Sequence, residues 1–175
     1  MAKKLSRSFN ERDVEEINQT YKILTKSILS FFQDKKYYSD DIFLLKSYDE
    51  VEQLKTAQLN EVENYTSFDV LASIEAMFTI DYYQRCENKL KDDLSREFRK
   101  KYKINKRIDF NDILATWSNF NPNNRLLNEL KAIFQYRHWL AHGRYWRLKI
   151  NVSKFDFQYL YILCLSIKNS FNLLN

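Results

Sequence analysis

Glycine and proline are almost absent from this chain, since its 175 residues contain one of each. Both residue types punctuate turns and strands, so their scarcity predicts long helices joined by few loops. It also excludes P-loop ATPases and Rossmann dehydrogenases, because both need several glycines where backbone approaches phosphate. With 45% hydrophobic residues the chain can bury a core without disulfides. We therefore expect a single all-α domain, a compact bundle of about five to six helices over 1–175.

The cellular compartment is predicted from the cysteines and from the absence of long apolar segments. Cys86 and Cys164 are far apart and have no CxxC spacing, which favours a reducing environment. No run of about eighteen apolar residues is present, and the basic residues in 1–9 have no apolar stretch behind them. We expect no membrane span, no signal peptide and a cytoplasmic protein.

Apolar residues spaced three and four apart predict six helical segments. These segments cover about 8–32, 48–64, 67–103, 109–117, 123–142 and 153–173. The third is expected to start at a Thr66 or Ser67 cap and to end in a charged, solvent-facing tail, KLKDDLSREFRKKYK. The last is apolar nearly all round and is expected to be central.

Turn and cap residues set the expected ends of the later segments. Asn121 and Pro122 are the expected start of the fifth helix, Gly143 its end and Ser153 the cap of the sixth. Apolar and polar residues alternate between the last two helices, which predicts a short extended segment near 146–152.

Positive charge is concentrated in the last third of the chain. Residues 121–175 hold eight of the 28 basic side chains and two of the 23 acidic ones, a formal charge of +6, which leaves −1 for 1–120. Such a patch attracts phosphates and polyanions, although a solvated basic face is the ordinary alternative.

Two charged residues interrupt apolar helix faces. Arg137 falls in the middle of the face formed by Leu130 and Ile133, and Glu75 lies on the stripe of the long helix. Burying either charge alone is costly, so we expect them to pair. The pair can be a structural device that sets helix register, or it can hold Arg137 half-desolvated toward a phosphate.

His138 and His142 are the only histidines, and both lie within five residues of Arg137. Their i, i+4 spacing could bind zinc, but no third ligand is nearby, so we expect no metal and no cofactor. A histidine at a helix end can also simply cap carbonyls.

The segment 137–143, RHWLAHG, resembles the Arg-x4-His motif of the HEPN superfamily. In that pattern an arginine is followed by a polar residue, three others and a histidine, and an acidic residue from an earlier helix, here Glu75, often accompanies it. The resemblance extends over the helix order of about 67–173 and implies an HEPN-like helical bundle, with 1–65 as an N-terminal helical extension.

The resemblance implies metal-independent RNA cleavage at the 2′-hydroxyl, in a composite site made by two protomers. His142 would be the acid and base, Arg137 would hold the phosphate, and His138 would orient substrate or the other histidine. Arg137 and His142 are about 140° apart around their helix, so one copy cannot easily aim both at one phosphate. We therefore expect a homodimer.

Further RNA contacts are expected from the residues after the motif. Arg144, Arg147 and Lys149 would follow the RNA backbone, and Tyr145 and Trp146 would stack on bases. The family implies a toxin or antiviral defence effector, with an antitoxin or regulatory protein as a possible partner. The alternatives are a non-catalytic HEPN module that binds nucleotide, RNA or another protein, and a plain helical scaffold.

Overall fold

The computed structural model describes residues 8–34, 41–104, 108–121, 124–150 and 154–174. Within these ranges the chain forms six α-helices and no β-strand, which confirms the predicted all-α bundle. The helices are α1 (Val14–Gln33), α2 (Tyr48–Glu87), α3 (Asp93–Ile104), α4 (Phe110–Phe120), α5 (Asn124–Ala141) and α6 (Phe157–Ser170). None of the described helices combines the length and the apolar character that crossing a membrane requires.

The long helix α2 is the spine of the bundle. Its 40 residues extend over about 60 Å, and each of the other five helices packs against it. The cap predicted at Thr66 or Ser67 is wrong. The Thr66 hydroxyl donates to the carbonyl of Val62 at 2.8 Å, so it is satisfied inside a continuous helix and starts no new one. The boundary expected between an extension and a core, at 65–67, therefore falls inside α2.

The chain reverses at 88–92, inside the charged stretch predicted to continue one helix to 103. Lys89 adopts a left-handed φ of +53°, and the Asp92 side chain accepts a backbone hydrogen bond at the start of α3. α3 then folds back and buries Leu94 and Phe98. The prediction that this charged segment faces solvent is therefore wrong, because Leu94 and Phe98 lie on one face of α3 and pack that face against the core.

Aspartates also start three of the other helices. α1 begins at Val14 rather than near Ser8, because Asp13 supplies the capping carboxylate. α4 begins after Asp109, as predicted. α6 begins after Asp156, whose side chain accepts from a backbone amide of the first turn at 2.7 Å.

Some of the predicted helix boundaries lie at the edges of the described ranges or outside them. Ser153, Pro122 and the last two residues of the expected extended segment, 151–152, lie outside the described residues. Asn121 is described, and it ends α4. The residues that join it to α5 lie outside the described ranges, so the expected cap of α5 stays a prediction.

The C-terminus of α5 lies at the only glycine, as predicted. Gly143 has a φ of +78°, and the amide of Arg144 donates to the carbonyl of Trp139 at 3.1 Å, the bond that closes a Schellman-type helix end. A Cβ at Gly143 would meet no atom within 4 Å, so the backbone angle alone favours glycine here.

Residues 145–150 leave α5 without forming a strand. The predicted alternation is present as alternating burial: Trp146, Leu148 and Ile150 are half-buried, whereas Arg147 and Lys149 are exposed. Leu148 and Ile150 pack against the core. The segment is thus held by its apolar side chains and turns its basic ones outward.

One continuous core joins all six helices. α6 packs into this core along one face, where Phe157, Leu160, Cys164 and Ile167 are fully buried, but Ile162 on another face is 53% exposed. The prediction that α6 is the central helix is therefore wrong, since α2 is the helix that packs against all the others. Cys86 and Cys164 are both buried and unpaired, and burial raises the pKa of each thiol to about 12. Neither thiol is suited to nucleophilic chemistry.

Candidate functional site

Glu75 of α2 and Arg137 of α5 form the predicted ion pair. Nη2 of Arg137 lies 2.6 Å from Oε2 of Glu75, and the guanidinium carbon lies 5.4 Å from the centre of the Phe68 ring. The two side chains keep 25% and 28% of their exposure, so the pair is half-desolvated rather than sealed in the core.

Arg137 is incompletely satisfied by this pairing. Its Nε is buried and has no hydrogen-bond partner, although a buried donor normally finds one. The pKa of Glu75 is raised above its ordinary value, because burial and the nearby Asp109 outweigh the opposite effect of Arg137. The pair therefore leaves one buried donor of Arg137 unused, while the Arg137 side chain as a whole lines a groove.

An open groove of about 1030 Å³ runs past this ion pair. α5 lines it with Arg137 and His138, α4 contributes its first turn with Asp109, and the segment 146–149 forms another wall. Its lining includes four cations, Lys131, Arg137, Arg147 and Lys149, and two carboxylates, Glu75 and Asp109. The groove is therefore net positive, which suits a phosphate-bearing ligand.

Both histidines lie beside the groove, but only His138 lines it. The rings of His138 and His142 are 4.2 Å apart between centroids, and the Trp146 ring lies 5.9 Å from the first and 6.4 Å from the second. The exposed histidines thus form a small aromatic cluster with Trp146. Within one chain, His138 follows Arg137 directly, and its ring lies beside that of His142. The two histidines are four residues apart, which places them about 40° apart around the helix.

Trp146 is positioned by a hydrogen bond. Nε1 of Trp139 donates to the carbonyl of Trp146 at 2.7 Å, which ties the segment after α5 back to the helix. Trp146, Arg147 and Lys149 consequently line the groove, as the sequence-based assignment of RNA contacts requires.

Arg144 and Tyr145 are not brought to the groove. Arg144 pairs instead with Glu61 on the N-terminal half of α2, at 2.7 Å, and this contact lowers the pKa of Glu61. Tyr145 is 83% exposed and touches only the edge of the Trp146 ring, at 4.8 Å between centroids. The left-handed backbone of Arg144 turns the chain, so neighbouring residues point in different directions.

Several groove residues were not singled out from the sequence. The polar face of α5 lines the groove with Asn128, Lys131 and Gln135, all exposed, and continues to His138. These residues are spaced three and four apart, which places them on one face of the helix. That spacing is visible in the sequence, but the charges on the apolar face of α5 do not indicate it. Asp109 was predicted only as a helix cap, a role that it also has.

No match was found among models of known protein families, curated proteins or solved structures. The site is therefore interpreted from its own geometry. Within the described ranges, no three side chains of histidine, cysteine, aspartate or glutamate come together as metal ligands.

Proposed function

We propose that this chain is a metal-independent endoribonuclease of the HEPN type. The observation that carries the proposal is Arg137, which is oriented by Glu75, retains an unpartnered Nε and lines a basic groove next to His138. An arginine held in this way can meet a phosphate without reorganising.

The chemistry requires only these side chain types. A base removes the proton of the 2′-hydroxyl, whose oxygen attacks the adjacent phosphorus while the bond to the 5′-oxygen breaks. A protonated imidazole gives its proton to that leaving oxygen, and the products are a 2′,3′-cyclic phosphate and a 5′-hydroxyl. Arg137 stabilises the extra negative charge on phosphorus in the transition state. We assign both roles to His142, which takes the proton of the 2′-hydroxyl as a neutral imidazole and then, once protonated, gives it to the leaving 5′-oxygen, with His138 orienting it or the substrate.

The position of His142 is the reason to propose a homodimer. His142 does not line the groove that holds Arg137, and it is exposed one helical turn beyond His138. In a symmetric dimer, the exposed histidines of one protomer can face the Arg137 of the other across a shared cleft. Each cleft then has an arginine and an acid or base from different copies.

The biological setting follows the HEPN resemblance. We propose a cytoplasmic toxin or defence effector that restricts growth by cutting RNA, with an antitoxin or regulatory protein as partner. Two buried, unpaired thiols are compatible with a reducing compartment.

A non-catalytic RNA-binding module is the second candidate. It is favoured by one observation, namely that Glu75 already occupies part of the guanidinium of Arg137. Binding needs only the basic groove, whereas cleavage also needs the histidines.

The test is incubation of the purified chain with RNA in EDTA, together with Arg137→Ala and His142→Ala. We expect wild type to give fragments that end in cyclic phosphate, and each variant to lose at least 100-fold in rate, as for removal of a charge-stabilising group or an acid–base group. Arg96→Ala is the matched control, because Arg96 is an exposed arginine of α3 outside the groove.

Mixing the two inactive variants tests the composite site. A mixed dimer of Arg137→Ala and His142→Ala subunits has one cleft with both functional groups, so partial activity should return. Undiminished cleavage by either variant alone would refute the catalytic assignment. RNA binding without any cleavage by wild type would support the binding module instead.

A further inference from the structure

A second, smaller cavity lies on the other side of Glu75, between α2 and α4. Its volume is about 290 Å³, and its lining includes four polar side chains, Glu75, Thr79, Tyr82 and Tyr83, together with Phe110. Glu75 and Phe110 also line the large groove, so the two spaces meet at the ion pair. We call this space the Glu75 cavity.

The Glu75 cavity has polar groups that the fold does not use. Tyr82 is 1% exposed, and its hydroxyl is buried without a hydrogen-bond partner. Such a group is rare in a folded protein, because burying an unpaired hydroxyl costs free energy. The contact with Arg137 uses Oε2 of Glu75, and a carboxylate has about four lone-pair positions. The walls thus retain capacity to hydrogen-bond a guest.

The size and lining of the cavity fit a single flat ring. Its volume is at the lower limit of small-molecule sites, which start at roughly 300 Å³. Phe110 and Tyr83 provide aromatic surface, and proteins that read single-stranded RNA hold splayed bases by stacking and by hydrogen bonds to base edges. A nucleotide whose phosphate contacts Arg137 would have its base within reach of this space.

We propose that the Glu75 cavity binds a nucleobase with an exocyclic amino group, beside a phosphate held by Arg137. The proposal rests on the RNA-directed function above. A carboxylate only accepts hydrogen bonds, so it favours the amino groups of cytosine, adenine and guanine. Uracil has a carbonyl oxygen, O4, at the position where cytosine has its amino group, and the Glu75 carboxylate repels that oxygen. Glu75 therefore has two roles: it orients Arg137 and it selects the base.

The test compares cytidine 5′-monophosphate with uridine 5′-monophosphate, which differ at the base edge and share the phosphate. Binding to the full chain is measured by titration calorimetry in EDTA. We expect the cytidine nucleotide to bind about tenfold more tightly, the lower end of what one good base contact contributes. Equal affinities would overturn the proposal.

Two variants assign the preference to the cavity. Glu75→Gln adds an amide donor that can meet a uracil carbonyl, so the ratio of the two affinities should fall to about one. Tyr82→Phe keeps Glu75 and Arg137 but removes the unpartnered hydroxyl, and should weaken both nucleotides. Glu97→Gln on α3, which is half-buried, and Tyr65→Phe on α2, which is exposed, are controls outside both spaces that should retain the wild-type ratio. Thermal melts establish that each variant is folded.

Failure of the base-site proposal can be distinguished from failure of the ribonuclease proposal. A cytidine preference that disappears in Glu75→Gln supports the base site even if the chain cleaves no RNA. Cleavage of RNA with no preference in nucleotide binding, or a preference unchanged in Glu75→Gln, overturns the base site and leaves the ribonuclease proposal standing.

Discussion

Two arginines in this bundle lie against apolar helix faces, and they are paired differently. Nε of Arg85 lies 2.8 Å and 2.9 Å from the two carboxylate oxygens of Asp81, and its other nitrogens reach Ser95 and the carbonyl of Asn172. Arg85 is thus a fully satisfied structural arginine. Arg137 has one strong partner, an orphaned Nε and an open groove. The contrast favours a ligand for Arg137 over a purely structural role.

Asp81 is the acceptor at the centre of the Arg85 cluster. It is fully buried and also accepts from Nε1 of Trp117 at 3.1 Å and from the backbone amide of Leu174 at 2.9 Å. It therefore joins α2 to α4 and to the C-terminal segment. In the sequence, Asp81 and Arg85 look like an ordinary i, i+4 surface pair, so nothing there predicts this buried cluster.

We predict that Asp81→Ala lowers the free energy of unfolding by about 3–5 kcal/mol, because it leaves Arg85 buried without a counter-charge. Urea unfolding followed by circular dichroism measures the change. Asp93→Ala is the control: Asp93 pairs with Arg96 at 2.9 Å on the exposed face of α3, and its loss should cost less than about 1 kcal/mol. Similar losses in both variants would contradict the role assigned to Asp81.

At the scale of elements, α1 and α6 are tied together by one lysine. Nζ of Lys168, in the last turn of α6, lies 2.7 Å from Asp13 and 2.7 Å from Glu15 at the start of α1. Hydrogen bonds with Glu15 and Lys168 lower the pKa of Asp13 to about 2. The same carboxylate caps α1, so one group serves both the helix and the packing.

The depressed pKa of Asp13 predicts acid sensitivity of this tie. In the unfolded chain the carboxyl has its ordinary pKa of 3.8, so its contribution is complete above about pH 4 and is lost as pH falls toward 2. Asp13→Asn retains a capping side chain but removes the charge. We expect it to cost about 0.5–1 kcal/mol at pH 7 and almost nothing at pH 2.

Urea unfolding of wild type and Asp13→Asn at pH 7, 4, 3 and 2 checks this expectation. Lys168→Met should reduce the stability at pH 7 in the same way, since it removes the other partner. A difference between wild type and Asp13→Asn that stays constant down to pH 2 would refute the assignment.

Across the whole molecule, the fold places four of the eight basic side chains of residues 121–175 on one groove. The three groove cations other than Arg137 come from two elements, since Lys131 lies on α5 and Arg147 and Lys149 follow it. Arg144 belongs to the same basic segment but is neutralised by Glu61. The distribution concentrates the field where Arg137 lies.

We predict that binding of single-stranded RNA weakens with salt, with a log–log slope of roughly −2.8, if all four groove cations contact phosphate. Lys149→Ala should make the slope shallower by about 0.7, the contribution of one phosphate contact to a single strand. Lys154→Ala is the control, because Lys154 is an exposed lysine of the same basic segment outside the groove. Fluorescence anisotropy at several salt concentrations measures both slopes, and equal slopes for the two variants would contradict the role of the groove.

The local properties of this chain were readable from its sequence. One glycine and one proline predicted helices, and the sequence pattern located α1, α4, α5 and α6, whereas it divided α2 in two and joined its end to α3. Gly143 ended α5 because the left-handed backbone it adopts is costly for other residues. Charges on apolar stripes identified Glu75 and Arg137 as partners, since a half-buried charge needs a counter-charge.

Tertiary packing decided what residue type and spacing leave open. A hydroxyl that caps a helix in one context bonds back to the preceding turn in another, so Thr66 lies inside a continuous α2. Two apolar residues in a charged stretch pack α3 against the core. Arg144 forms an ion pair with Glu61, which is distant in sequence, and therefore does not line the groove. The meeting of the basic groove with the Glu75 cavity depends on side chains from α2, α4 and α5. Contacts between residues so far apart in sequence arise only when the helices pack, which is why the sequence indicated Arg137 and Glu75 while the folded bundle determined what surrounds them.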